Sequence, residues 1–308
     1  MRFCYAHRRF ALYPQSVDSW NLSVENYTDD FLSKVKSMGF DAIEVGFEVF
    51  NKLENPKVEI ETFTKKVNGQ GLKIGAIRSG GTLTGAKNGP ANVKKITQAI
   101  KYAEWCGAEV VNGALSAPAR YPGHPPGSLP GSQHGWPLSQ DSSKDAMIWV
   151  FERLAQNFKN ACDVADDVGV NITVEVHQNS PVDNSWAAVL LNQMVGRDNF
   201  GINPDLGNIL WNYDVPEEDF DQSILAMAPI SKYWHCKNLL RVYHPENNRS
   251  VYLRVPLSDG EIDYRFAITA MADANYSGYM AIEGTTLGDQ WEHDLKSINY
   301  AKAVLKGT

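Results

Sequence analysis

Short apolar runs alternate with longer stretches of helical periodicity from one end of this chain to the other. The runs Arg2–Ala6, Ala42–Val45, Lys73–Ile77, Glu109–Asn112, Asn171–Val176, Phe200–Asn203, Lys232–Cys236 and Tyr279–Glu283 are brief and rich in β-branched or aromatic residues. That pattern predicts buried parallel strands. Between them, amphipathic patterns predict helices near Thr28–Met38, Val58–Asn68, Ala91–Cys106, Ser143–Val168, Trp186–Val195, Phe220–Met227, Asp263–Ala274 and Gln290–Leu305. Eight strand–helix units predict an α/β fold, a (β/α)8 TIM barrel, as one domain over residues 1–308. A doubly wound sheet has fewer strands, and its nucleotide-binding form needs a glycine-rich turn after the first strand. Here that turn reads His7, Arg8, Arg9.

Two connections break the rhythm. Leu115–Asp141 is rich in Pro, Gly, Ser and His and holds Tyr121, His134 and Trp136. Leu239–Asp259 holds Arg241, Tyr243, His244, Arg249 and Arg254. Both follow strands, so both are expected as long loops on the catalytic face, where a substrate-covering role outweighs decoration or subunit contacts.

The strand ends carry the chemistry. Glu175, Asp205, His235 and Glu283 close the fifth to eighth runs, where barrel strands meet the mouth. One acidic strand end has a structural reading. Three carboxylates and an imidazole from four successive units predict a shared divalent metal. Hard oxygen donors with one nitrogen suit Mn2+ best, with Co2+, Mg2+ or Zn2+ also compatible. Such an ion stabilises an enediolate, the chemistry of proton removal beside a ketone or aldehyde. His177 follows Glu175 by two positions and, on a strand, shares its face, so it is a candidate base. Glu175 and Glu283 compete for that role, and orientation of the ligand shell is the bland alternative for His177. Trp211, soon after Asp205, can stack on a sugar ring, and Arg8 can bind an anionic group or form an internal ion pair.

Bulk properties exclude other classes. The net charge is −7 and no dense Lys/Arg cluster exists, which argues against a nucleic-acid partner. Seven histidines fall short of what a multi-metal DNA-repair endonuclease on this barrel uses. Four scattered cysteines predict free buried thiols, and no run reaches membrane-spanning length, so the expected location is the cytoplasm.

The motifs Val-Glu-Val-His, Pro-Asp-Leu-Gly-Asn, His-Cys-Lys-Asn, Pro-Leu-Ser-Asp-Gly-Glu-Ile-Asp-Tyr and Ala-Ile-Glu-Gly resemble the successive signatures of the sugar-phosphate isomerase/epimerase superfamily, the xylose-isomerase-like TIM barrels. The resemblance implies sugar-like substrates and a metal at Glu175, Asp205, His235 and Glu283. Lys237 and Asn238 match its polar pair after the histidine. Many epimerases of the family place a substrate-contacting His where this chain has Asn208. A narrower resemblance, to the large subunit of C-glycoside deglycosidases, rests on Glu-x-His, His-Cys-Lys-Asn and the long loop containing Arg241. It implies a lyase acting on 3-oxo-C-glycosides, with His177 taking the C2 proton. Asn208, whose amide can hydrogen-bond a sugar hydroxyl, Lys237, Trp211, Arg8 and Arg241 are the candidate substrate contacts. The narrower resemblance also implies a smaller partner subunit, beside or instead of a homo-oligomer. An isomerase or epimerase with the same metal site is the competing function.

Overall fold

The eight apolar runs form the staves of a barrel, β1 (Arg2–Ala6), β2 (Ala42–Gly46), β3 (Lys73–Arg78), β4 (Val110–Ala114), β5 (Asn171–Glu175), β6 (Phe200–Asn203), β7 (Trp234–Cys236) and β8 (Tyr279–Ile282). A computed structural model describes residues 1–308 except 7–9, 13–14, 18–21, 82, 85–87, 116–141, 145, 179, 211–217, 248, 286–287 and 308, and except the side chains of 10–12, 15–17, 114, 247 and 249–250. The ladders between these staves are parallel, in the order β6-β5-β4-β3-β2-β1-β8-β7. The barrel closes where β6 meets β7. There the backbone contact is slight, with Lys232 N donating to Ile202 O at 3.2 Å. His235 N donates instead to the side chain of Asn203, at 2.6 Å from Oδ1. The expected TIM barrel is therefore the observed fold.

Helices cover the outside, and their ends follow local chemistry. Thr28 Oγ1 accepts from Phe31 N, Asn184 Oδ1 from Ala187 N, and Asp263 Oδ1 from Arg265 N and Phe266 N, each satisfying an otherwise orphaned amide. The helix Gly89–Cys106 stops at Gly107, whose φ of 69° suits glycine. The main core lies between strands and helices, where Val, Ile, Leu and Phe side chains pack. A second, smaller core fills the barrel interior. It pairs small residues (Cys4, Ala6, Ala42, Ala76, Ala281) with Tyr233 and Tyr279. Small side chains from several staves leave the room that the two rings occupy.

Several elements differ from expectation, among them a short antiparallel pair, Phe10–Leu12 with Gln15–Val17, after β1. Most of the connection Leu239–Asp259 is an antiparallel hairpin, Asn238–His244 with Arg249–Val255. Its Leu-Leu-Arg-Val-Tyr and Val-Tyr-Leu-Arg-Val runs flank a Pro/Asn turn and carry a strand signal of their own. Short helices follow β2 directly (Phe47–Asn51) and β6 after two residues (Leu206–Leu210), too brief for periodicity to register. The segment 116–141, with Tyr121, His134 and Trp136, lies outside the described residues.

Candidate metal centre

Glu175 is the last residue of β5, and Glu283 follows β8 directly. Asp205 stands two residues beyond β6 at the start of the helix Leu206–Leu210, and His235 is the middle residue of β7. Parallel strands bring their C-terminal ends to one rim, so the chain's last four staves deliver four side chains to one place. All four are buried. One donor atom from each lies within 4.8 Å of the others.

His235 is held from several sides. Its Nε2 is 2.7 Å from Glu44 Oε2, on β2 across the barrel, and a carboxylate there fixes Nε2 as the protonated nitrogen. Nδ1 then points at Glu175 Oε2 (3.3 Å) and Glu283 Oε1 (3.1 Å), with no hydrogen bond formed among the described residues. Burial draws the imidazole pKa down, but Glu44 and Glu175 outweigh it and raise the pKa to about 9. The pocket therefore attracts positive charge. Arg78, at the end of β3, stands 3.6 Å from Glu44 Oε1. Beneath the site, Asn112 Oδ1 accepts from Thr173 Oγ1 (2.9 Å) and Asn203 Nδ2 (3.2 Å), which orients Asn203 to receive the His235 amide.

A divalent ion fits this setting. Among the described residues the cluster holds four carboxylates, Glu44, Glu175, Asp205 and Glu283, and two cationic side chains, Arg78 and Lys237. With its pKa at about 9 His235 carries a proton in the metal-free protein, so these described side chains fall one positive charge short, and a divalent ion that takes the place of that proton on Nδ1 brings the sum to zero. Burying unbalanced charge is costly, and one divalent cation offsets it. The buried Nδ1 facing two carboxylate oxygens is a nitrogen donor aimed where that cation would sit.

The remaining candidates are spread around this centre. Asn208 is buried, and its Nδ2 is within 3.0 Å of Glu175 Oε1, Asp205 Oδ2 and Val176 O. Lys237 is buried with Nζ on Asp205 Oδ2 and Glu283 Oε2. Asn238 pins the return from the hairpin through Leu257 O, Ile262 O and Ile262 N. His177 lies two residues past β5, half-buried, with Nδ1 2.9 Å from Gln178 O. Arg241 sits on the hairpin, its amide donating to Glu261 Oε1 at 2.7 Å. Trp211 and Arg8 lie outside the described residues. Glu44, Arg78 and Asn203 were not singled out from sequence. Glu44 had left a trace there, as the lone charge inside the buried run Ala-Ile-Glu-Val.

A family model described as xylose isomerase-like TIM barrel matches residues 32–301. The chain belongs to this family. A relative, D-psicose 3-epimerase of Agrobacterium fabrum (strain C58), is 24% identical over 267 residues, covering 84% of this chain and 81% of the relative. A xylose isomerase-like TIM barrel protein from Mycobacterium smegmatis, solved in complex with magnesium, superposes with a TM-score of 0.74 at 21% identity, over 99% of this chain and 97% of the other. An L-ribulose 3-epimerase superposes with a TM-score of 0.72 at 18% identity, over 99% and 95%. These solved structures share the barrel with this chain. The chain is thus a sugar epimerase/isomerase-like TIM barrel with a cluster able to hold a divalent metal.

Proposed function

We propose that the protein is a divalent-metal-dependent enzyme that removes and returns a proton on the carbon beside a sugar carbonyl, as a ketose epimerase or an aldose–ketose isomerase. The observation that carries this reading is the buried four-donor cluster Glu175, Asp205, His235 and Glu283 at the barrel mouth. The D-psicose 3-epimerase relative supports the substrate class. When bound, the cation, with Mn2+ favoured by the donor set, supplies positive charge against the developing enediolate. The chain's own residues do the rest. Glu175 and Glu283 come from the two ends of the arc β5-β6-β7-β8, so a sugar held over the cluster has a carboxylate on either side. In an epimerase one takes the proton and the other returns it to the opposite face, which inverts the carbon; in an isomerase the proton goes instead to the former carbonyl carbon, as the neighbouring hydroxyl loses its proton to become the new carbonyl and the old carbonyl oxygen gains one. Burial beneath the mouth excludes water from the carbanion-like intermediate. The test is hydrogen–deuterium exchange by NMR, with Mn2+, across free ketoses and aldoses in D2O. Exchange at the carbon next to the carbonyl is expected. No exchange and no conversion with any sugar of the panel overturns the reading.

A second reading has its own observation. His177 stands half-buried outside the ligand set, so it supplies a base separate from the metal carboxylates. In a lyase acting on a 3-oxo-C-glycoside, His177 takes the C2 proton. The C–H electron pair becomes the C1–C2 double bond as the C1–aglycone bond breaks, and the aglycone carbon leaves with that bond's electrons and takes up a proton. A smaller partner subunit belongs to this reading, and a cytoplasmic location to both. Release of free aglycone from a 3-oxo-C-glycoside, without turnover of free sugars, decides for the lyase.

A further inference from the structure

Each ligand carboxylate at the mouth has one oxygen already committed inside the protein. Asn208 Nδ2 takes Glu175 Oε1 at 3.0 Å and Asp205 Oδ2 at 2.9 Å. Lys237 Nζ takes the same Asp205 Oδ2 at 2.6 Å and Glu283 Oε2 at 3.1 Å. Among the described residues Asp205 Oδ1 receives the longer bond from Asn208 N, at 3.3 Å. The second oxygens of the two glutamates, Glu175 Oε2 and Glu283 Oε1, both turn to His235 Nδ1. Two nitrogen groups thus hold one side of all three carboxylates.

Both holders are built in. Asn208 shares its two amide hydrogens among three acceptors, the third being Val176 O at 2.9 Å. Neither residue reaches solvent. The Lys237 carbonyl is fixed by Tyr264 Oη at 2.9 Å. The lysine stem runs against Gly207, where an added Cβ would come within 2.5 Å of Lys237 Cγ, so a side chain at 207 is excluded for the stem to pass.

We infer that Asn208 and Lys237 are positioning residues that keep Glu175, Asp205 and Glu283 as single-oxygen ligands, so that coordination positions stay open for a bidentate sugar. The inference rests on the proposed metal centre and deepens it. A carboxylate whose outer oxygen is held by an ammonium or amide cannot swing both oxygens onto an ion. Three such carboxylates and one imidazole give four donor atoms, and an ion taking about six ligands keeps about two positions for adjacent sugar oxygens. Chelation by even one carboxylate would remove a position that substrate needs.

The test counts inner-sphere waters on the Mn2+-loaded full-length protein by water-proton relaxation, beside the Mn2+ dissociation constant. The wild type is expected to carry about two exchangeable waters. Lys237→Met frees the outer oxygen of Glu283, while Asp205 Oδ2 keeps its bond from Asn208 Nδ2. It is expected to lose about one water and to bind Mn2+ roughly tenfold more tightly, since chelation and loss of a nearby positive charge act together. Asn208→Ala frees Glu175 alone and is expected to lose about one water with the ammonium still in place. A merely neutralising lysine would change the affinity and leave the water count alone, so an unchanged count in both variants overturns the inference. Should Lys237→Met fail to fold, an unchanged count in Asn208→Ala is sufficient to overturn it. A wild type that binds no Mn2+ overturns the metal centre itself, an outcome distinct from a metal bound with unaltered hydration.

Discussion

The two ends of this barrel both carry interacting charges, and they do so in opposite ways. At the floor, Arg2 opens β1 and meets Glu109 just before β4, with two bonds of 2.5 and 2.7 Å. The guanidinium lies 3.9 Å over the Tyr279 ring, and Tyr279 Oη donates to Glu109 at 3.3 Å. One positive charge meets one negative, and both side chains are about 40% exposed, at 39% and 42%. The hydrogen bond from Arg2 holds the Glu109 carboxyl below its ordinary range. At the mouth, among the described residues, four carboxylates face Lys237, Arg78 and the protonated His235, and all but Arg78 are buried. Balanced, half-solvated charge serves stability. Unbalanced, buried charge is retained where something else completes it.

Breaking the mouth has the largest expected effect. Glu175→Gln or Glu283→Gln removes an ionic donor and leaves a buried amide, so metal content after dialysis and sugar turnover should both collapse, turnover by about a thousandfold or more. Turnover persisting at near wild-type level in metal-depleted Glu283→Gln would refute the shared-ion site. His177→Ala should keep its metal while turnover falls about 10²- to 10⁴-fold, if His177 is the base. If turnover survives in that variant, the proton belongs to Glu175 or Glu283.

The mouth also holds a buried acid that the floor lacks. Asp294 lies behind Gly284, bonded to Tyr5 Oη at 2.9 Å, with no ion pair among the described residues. Burial pushes its pKa up to about 7, and the Tyr5 bond pulls back only part of that rise. Between the ordinary aspartate pKa and about 7, the folded form holds a proton that the unfolded chain has released. Stability should therefore fall as pH rises through that window, by at most about 1.4 kcal/mol per pH unit, and level off above it. Asp294→Asn should flatten the slope in denaturant titrations run from pH 5 to about 8. An unaltered slope assigns the pH dependence elsewhere.

The smallest effects compare the two ends directly. Glu44→Gln weakens the partner of His235 Nε2 and should lower Mn2+ affinity about 10- to 100-fold, with little change in the melting point of the metal-free protein. Arg2→Met should cost about 1 kcal/mol of stability at most, given the pair's exposure, and leave Mn2+ affinity alone. If calorimetry found both substitutions lowering metal affinity equally, the contrast between floor and mouth would fail.

Much of this was readable one residue at a time. Strand runs such as Phe200–Asn203 were placed to the residue, because a fully buried strand is apolar throughout and bounded by turn signals. Glu175, Asp205, His235 and Glu283 were readable because each breaks or follows such a run at its end. Glu44 was missed because it lies within a run, and nothing local says that β2 faces β7 across a closed cylinder. The hairpin Asn238–Val255 was taken for a loop because its strands pair with each other, outside the alternation that announced the barrel.

Sequence by itself therefore determined the order of strands and helices, the barrel they form and the side chains that reach its mouth, since these follow from periodicity along one chain. Only the tertiary structure decided which groups share a space. The Glu44–His235 bond, the Asn203 bridge across the seam and the hold of Asn208 and Lys237 on three carboxylates join positions distant in sequence. Whether a buried charge is balanced depends on its neighbours in space, and those are set by the closure of the barrel rather than by any local pattern.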